Sequence, residues 1–223
     1  MGGEKKRKHI VCIPAACNSM KKGVLTAKAE KVFRVALAQC SPQIWEALSE
    51  NTQYYATDFT RFYIPYRDKI LAKKRFELLK ERLIAGRKLL IVEGEYTRNG
   101  VGNDLLNSAT RIRRIVCPAR DAFEHYNEIL TSIIKFCESD ELVLLSLGPT
   151  ATVLAYDLAE MGIWAIDFGH MDIEYEWCIR EVEKKISIPG KHVNEVTGDQ
   201  IVGGVNKNDL NEYETQIIFR VGL

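Results

Sequence analysis

The chain has 223 residues, 46% of them hydrophobic and 27% charged, with 15 glycines and 6 prolines. This composition excludes a disordered, collagen-like or low-complexity chain and can supply a core for one domain spanning 1–223. Thirty-one Lys and Arg against thirty Asp and Glu leave a formal charge of +1, so no global field gathers nucleic acid or an anionic membrane, and an anionic ligand must be held locally.

The basic start, Met1 to Lys8, leads into a short apolar stretch that stops at Pro14, too short for a secretory or membrane-spanning segment. The six cysteines, Cys12, Cys17, Cys40, Cys117, Cys137 and Cys178, form no C-x-x-C pair or metal-finger spacing. They read as free thiols, mostly buried, of a soluble cytoplasmic protein. His9 to Ile13 predicts a strand. Val24 to about Leu48 has helical spacing with a break at Ser41-Pro42. Tyr54 to Tyr63 looks extended, ending at Pro65. Arg67 to Gly86 predicts a surface helix with one buried stripe, closed by its glycine.

Four short apolar runs follow: Lys88 to Val92, Arg113 to Cys117, Glu141 to Ser146 and Ile163 to Ile166. Each suits a strand covered on both faces. Helical patterns lie between them at about Asn103 to Ala109, Asp121 to Cys137 and Thr150 to Met161. The alternation predicts a doubly wound, mostly parallel α/β sheet with helices on both faces. The tail, 197–223, is polar and variable in character, with a last strand candidate at Thr215 to Val221.

In such sheets ligands bind past the carboxyl ends of the strands, and three strand-end segments stand out. The first is Glu93-Gly-Glu-Tyr-Thr-Arg-Asn-Gly-Val-Gly-Asn-Asp104. Gly94, Gly100 and Gly102 allow close backbone approach, Arg98 offers a fork for phosphate or carboxylate, and Asn103 or Asp104 suits a helix cap. A plain connection with a solvated arginine fits equally well, and the spacing matches neither a dinucleotide fingerprint nor a Walker loop. The second is Ser146-Leu-Gly-Pro-Thr-Ala-Thr152, a sharp turn through Gly148 into a helix with Pro149 at its start and hydroxyls at Thr150 and Thr152. It suits a diphosphate, or is an ordinary helix start.

The third segment is Asp167-Phe-Gly-His-Met-Asp-Ile-Glu-Tyr-Glu-Trp177. An extended chain would align His170, Asp172, Glu174 and Glu176; a helix starting near Asp172 would keep Asp172 and Glu176 on one face and turn Glu174 away. Either gathers groups useful to a divalent cation or as a general base, while an acidic helix start explains the carboxylates alone. Asp58, Thr60-Arg61 and Tyr126 are lesser candidates. His9, His125 and His192 read as surface or packing residues.

At these same residues the sequence resembles the bacterial glycosyltransferases of the GT-D fold, first catalogued as a domain of unknown function. The matching pieces are Ile91 to Leu105, Ile115 to Phe123, Leu147 to Leu158 and Ala165 to Trp177, in the family's order and roughly its spacing; the likeness runs from about His9 to Val196. The resemblance implies transfer of a hexose, typically glucose from UDP-glucose, onto a glycan of a surface polysaccharide or glycoprotein. It also implies a divalent metal, manganese with magnesium as the alternative. It carries the donor onto Arg98, Gly100, Gly102, Asn103, Asp104, Gly148, Pro149, Thr150, Thr152 and Arg61, and the metal onto Asp172 and Glu174. The reaction centre falls at Glu176, His170 and Asp172, with Glu176 the first choice of base. A homo-oligomer or a partner glycosyltransferase is compatible with it; nucleic acid and a membrane span are not expected.

The sequence departs from the family at its start. Family members begin with a further strand and helix bearing an Asp-Gly-Glu segment, and none occurs in this chain. Met1 to Lys8 therefore reads as a replacement leader or truncation point. Two rival readings follow: a non-catalytic nucleotide-sugar or glycan-binding subunit, and a generic nucleotidyl or phosphoryl enzyme, the latter disfavoured by the missing Walker lysine.

Overall fold

A computed structural model describes residues 9–13, 23–49, 51–196 and 204–222. Residues 1–8, Cys17, the side chain of Cys40 and residues 197–203 of the tail lie outside what it describes. The amino end forms β1 (Cys12–Ile13), α1 (Ala27–Ala47) and β2 (Tyr55–Ala56), with β1 and β2 paired in parallel as a separate two-stranded sheet. The Thr26 side chain caps α1 by accepting from the Ala29 backbone N–H. The break expected at Pro42 does not occur: Pro42 sits inside the helix, in a stretch whose side chains are largely exposed, where water can serve the carbonyl that loses its partner. The extended run expected to Tyr63 lasts two residues, because Thr57–Thr60 close into a 3₁₀ turn.

Next come α2 (Lys69–Leu79), prolonged by a π-helical turn at Lys80–Ile84, β3 (Lys88–Gly94), β4 (Arg111–Cys117), α3 (Tyr126–Phe136), β5 (Glu141–Ser146), α4 (Pro149–Glu160), β6 (Ala165–Asp167), α5 (Met171–Ile179), α6 (Lys207–Gln216) and β7 (Ile217–Arg220). The five strands from β3 to β7 form one sheet, all paired in parallel, in the order β6-β5-β3-β4-β7. Alternation along the strands builds two cores. Leu89, Ile91, Leu142 and Leu144 pack with Phe76 of α2 and Trp177 of α5. Leu90, Val92, Val143 and Leu145 pack with Ile129 and Ile133 of α3 and Leu154 and Leu158 of α4. Helices thus cover both faces, the doubly wound arrangement expected.

Three differences shape the site. No helix forms over Asn103 to Ala109; the segment stays in turns, with Gly100 and Gly102 at positive φ and the Asn103 side chain accepting from the Leu105 N–H. The 3₁₀ turn Ala122–His125 precedes α3, following Asp121 at φ 53. The tail holds α6, which the polar sequence Lys207 to Gln216 did not announce, and β7 completes the sheet beside β4. Of the described cysteines, Cys117 and Cys178 are buried and Cys12 and Cys137 partly so, all free.

The chain leaves β3 toward β4 but leaves β5 toward β6. Neighbouring strands whose continuations diverge open a crevice between their carboxyl ends.

Candidate active site

A cleft of about 920 Å³ occupies that crevice. Gly94 at the end of β3 with Thr97 and Asn99 beyond it, Pro118 to Phe123 after β4, Ser146 to Thr150 around the β5 end, and Gly169 and His170 after β6 all line it. Gly94 is needed for closeness: a Cβ there would stand 3.4 Å from Ala119 Cα and 3.3 Å from Thr97 Oγ1. Gly148 is needed for conformation, since its φ of +57 is strained for other residues while nothing crowds its missing Cβ.

Helix α4 starts on this turn with Pro149 in its first turn and no side-chain cap, unlike α1 and α2, which Thr26 and Asp68 cap. Its positive dipole end therefore faces the cleft beside buried Thr150 and the cleft-lining Arg120. Thr152 is turned to one side and donates to Asp167 Oδ2 at 2.7 Å.

The far wall is the start of α5 with His192, Asn194 and Val196. Arg61 Nη2 lies 2.7 Å from His170 Nδ1. A guanidinium only donates, so Nδ1 accepts and Nε2–H donates to Asn194 Oδ1 at 3.1 Å. Glu195 ion-pairs with Arg61 from the other side. Burial, and then the charge of Arg61, hold the His170 pKa below its ordinary 6.5. His192, read from sequence as a surface or packing residue, lines the same wall.

The carboxylates of α5 behave differently. Asp172, Glu174 and Glu176 are buried and none lines the cleft. Asp172 accepts from the Gly100 N–H at 2.7 Å, Asn103 Nδ2 at 2.9 Å and Lys191 Nζ at 2.5 Å. Glu176 takes Asn103 Nδ2 at 2.7 Å, Lys191 Nζ at 3.1 Å and Arg180. Glu174, turned away as a helix start at this point requires, accepts from the Tyr63 and Ile64 N–H groups at 2.8 and 3.0 Å, and burial raises its pKa.

Asp172 and Glu174 therefore do not fit a shared cation: Asp172 is occupied by an ammonium and two N–H donors, and Glu174 points at a different segment. Among the described residues no three His, Cys, Asp or Glu side chains converge as metal ligands would. Glu176, the base that the resemblance implies, is likewise paired with Asn103, Lys191 and Arg180 and is not part of the cleft lining. Lys191, buried between Asp172 and Glu176, ties α5 to the stretch that brings His192 and Asn194 to the cleft.

The remaining nominated residues extend this scaffold. Arg98, at φ 51, donates to the Gly190 carbonyl at 2.7 Å and lies near the rings of Tyr96 and Tyr213, away from the cleft lining. Gly100 fixes Asp172 through its N–H, and Gly102 turns at φ +76. Asp104 receives Lys80 Nζ at 2.7 Å and the Tyr175 hydroxyl. Sequence reasoning passed over Asn99, Ser146, Glu93, Arg114, Lys191 and Asn194. For Ser146 and Asn99 the signal was position, directly after β5 and β3; for Lys191, the sequence holds none.

The family model described as "Glycosyltransferase GT-D fold" matches residues 3–196. The chain is 40% identical over 177 residues to Glycosyltransferase GlyD of Streptococcus pneumoniae, covering 79% of this chain and 21% of that protein. It is 40% identical over 165 residues to Probable glycosyl transferase Gly of Streptococcus gordonii, covering 74% of this chain and 24% of that protein. The chain thus spans about a fifth to a quarter of the length of these curated relatives. A solved structure of the highly conserved domain of unknown function 1792, described as having a distinct glycosyltransferase fold, superposes with a TM-score of 0.86 at 37% identity, over 96% of this chain and 74% of that one. A new glycosyltransferase from Streptococcus sanguinis gives a TM-score of 0.86 at 32% identity, over 96% and 77%.

Proposed function

The chain belongs to the glycosyltransferase GT-D fold family, and on that premise we propose that it transfers a hexose from a UDP-sugar to a glycan of a surface polysaccharide or glycoprotein. One observation carries this reading: four strand-end turns meet at the switch-point cleft, beside a helix start that no side chain caps. A diphosphate laid there faces the positive end of α4, the Gly148–Thr150 turn and Arg120. These groups stabilise the negative charge that grows as the sugar–phosphate bond breaks.

His170 is the proton acceptor in this reading. Of the three nominated residues it alone lines the cleft, and its lowered pKa keeps the ring neutral at pH 7. Arg61 releases Nδ1 as the acceptor hydroxyl binds. The hydroxyl oxygen then bonds to the anomeric carbon, the proton passes to Nδ1, and UDP departs with the electron pair of the broken bond. Arg98, Asn103, Asp172 and Glu176 act by holding the wall that carries His192 and Asn194.

One observation favours a second reading, a non-catalytic nucleotide-sugar-binding domain: both ring nitrogens of His170 and the oxygens of Asp172 and Glu176 already have partners. A thermal-shift panel of UDP, UDP-glucose, GDP and ATP, with and without manganese, tests the binding both readings share. The uridine ligands should raise the melting temperature most; a larger rise with ATP contradicts both. Release of UDP from UDP-glucose in the presence of a glycan acceptor separates catalyst from binder.

A further inference from the structure

Two residues of the cleft lining each hold a buried side-chain oxygen that has no partner among the described residues. Asn99 and Ser146 are 1% and 6% exposed, both line the cleft, and neither Asn99 Oδ1 nor Ser146 Oγ has a hydrogen-bond partner among the described residues. Buried polar atoms are satisfied in almost all native positions, so an orphan at a ligand cleft points to the ligand.

The two belong to one construction. Glu93 and Ser146 are register partners across β3 and β5, and Glu93 Oε2 accepts from both the Asn99 backbone N–H at 2.7 Å and Asn99 Nδ2 at 2.9 Å. Arg114 completes the clamp, donating to Glu93 Oε1 at 2.6 Å and to the Asn99 carbonyl at 2.9 Å. The ion-paired carboxylate only accepts, so the amide NH₂ must face it; a flipped amide would set oxygen against oxygen. Oδ1 is thereby fixed as a free acceptor.

We propose that Asn99 Oδ1 and Ser146 Oγ form a specificity-determining floor for the neutral groups of a bound nucleotide sugar, Asn99 accepting from a hydroxyl or the uracil imide N–H and the Ser146 hydroxyl accepting from or donating to a neighbouring hydroxyl or carbonyl. The proposal rests on the nucleotide-sugar reading above. The Asn99 carbonyl oxygen repels phosphate, so Asn99 reads the uncharged part of the ligand, while the diphosphate is placed at the start of α4, where Gly148 follows Ser146 by two residues. Glu93 and Arg114 are positioning residues, acting through the Asn99 amide.

Calorimetry with UDP and with UDP-glucose on the full chain, on Ser146→Ala and on Asn99→Ala tests it. Ser146→Ala removes only an oxygen that no group among the described residues uses, so its melting temperature should equal or exceed that of the parent. Each variant should bind about three- to tenfold more weakly, the factor for one neutral hydrogen bond. Equal loss for both ligands assigns the floor to the nucleoside, and loss confined to UDP-glucose assigns it to the hexose hydroxyls; either supports the proposal. Unchanged affinity for both ligands in both folded variants overturns the floor and leaves the nucleotide-sugar reading standing. If the parent chain binds neither ligand, the reading fails and the floor with it. Should Asn99→Ala not fold, Ser146→Ala alone decides.

Discussion

Helix α5 and the cleft floor contrast in a way that residue type alone conceals. The helix displays Asp172, Glu174 and Glu176 within five residues, a pattern that suggests chemistry, yet every one of them is buried and has partners within the fold. The floor offers an asparagine and a serine, neutral and unremarkable in sequence, and an oxygen of each has no partner among the described residues. In the proposed reading, hydrogen-bond satisfaction rather than charge distinguishes the α5 carboxylates from the cleft floor.

The hardest test of that contrast is Lys191→Ala. It leaves Asp172 and Glu176 buried without their ammonium and should cost about 3–5 kcal/mol of stability, measured by urea denaturation. A variant as stable as the parent would mean that the carboxylates are not scaffold. Glu174 comes next. Glu174→Ala strands the Tyr63 and Ile64 N–H groups and should cost about 1–3 kcal/mol. Glu174→Gln keeps a carbonyl acceptor and sheds a charge that burial already disfavours, so its stability should stay within about 1 kcal/mol of the parent. Equal losses in the two variants would show that the charge itself matters.

The smallest effect expected concerns pH and His170. Its folded pKa lies below 6.5, so on acidification the unfolded chain binds this proton first. The stability it contributes is therefore complete above 6.5 and is lost as pH falls through 6.5 toward the folded value. Between about pH 8 and about pH 5.5 the parent should lose more stability than His170→Asn, read from urea midpoints. Parallel losses would remove the burial assigned to this ring. If His170 is the base, the acidic limb of the transfer rate falls below the ordinary histidine range as well.

Much of the architecture is legible in sequence, because short apolar runs such as Lys88 to Val92 and Glu141 to Ser146, set between helical patterns, suit strands covered on both sides. The turn Ser146 to Thr152 is legible too, since Gly148 and Pro149 carry their backbone preferences with them. The roles of Asp172 and Glu176 were not. Their partner Lys191 lies 19 positions beyond Asp172, on a stretch with no regular period, so local pattern shows carboxylates without what neutralises them. Asn103 to Ala109 misled for a related reason: its apolar spacing is helical, but the Asn103 amide is claimed by Asp172 and Glu176. Helix α6 escaped because Tyr213 is its one buried residue, too little to mark a stripe.

A crystal structure of the full chain with UDP-glucose bears most directly on where the ligand goes. The diphosphate should lie against the first turn of α4 at Gly148 to Thr150, with Asn99 Oδ1 within hydrogen-bonding distance of a hydroxyl or N–H of the nucleotide sugar and Ser146 Oγ within that distance of one of its neutral polar groups. A diphosphate seated instead against α5, with Lys191 released from Asp172 and Glu176 to meet it, would contradict that placement.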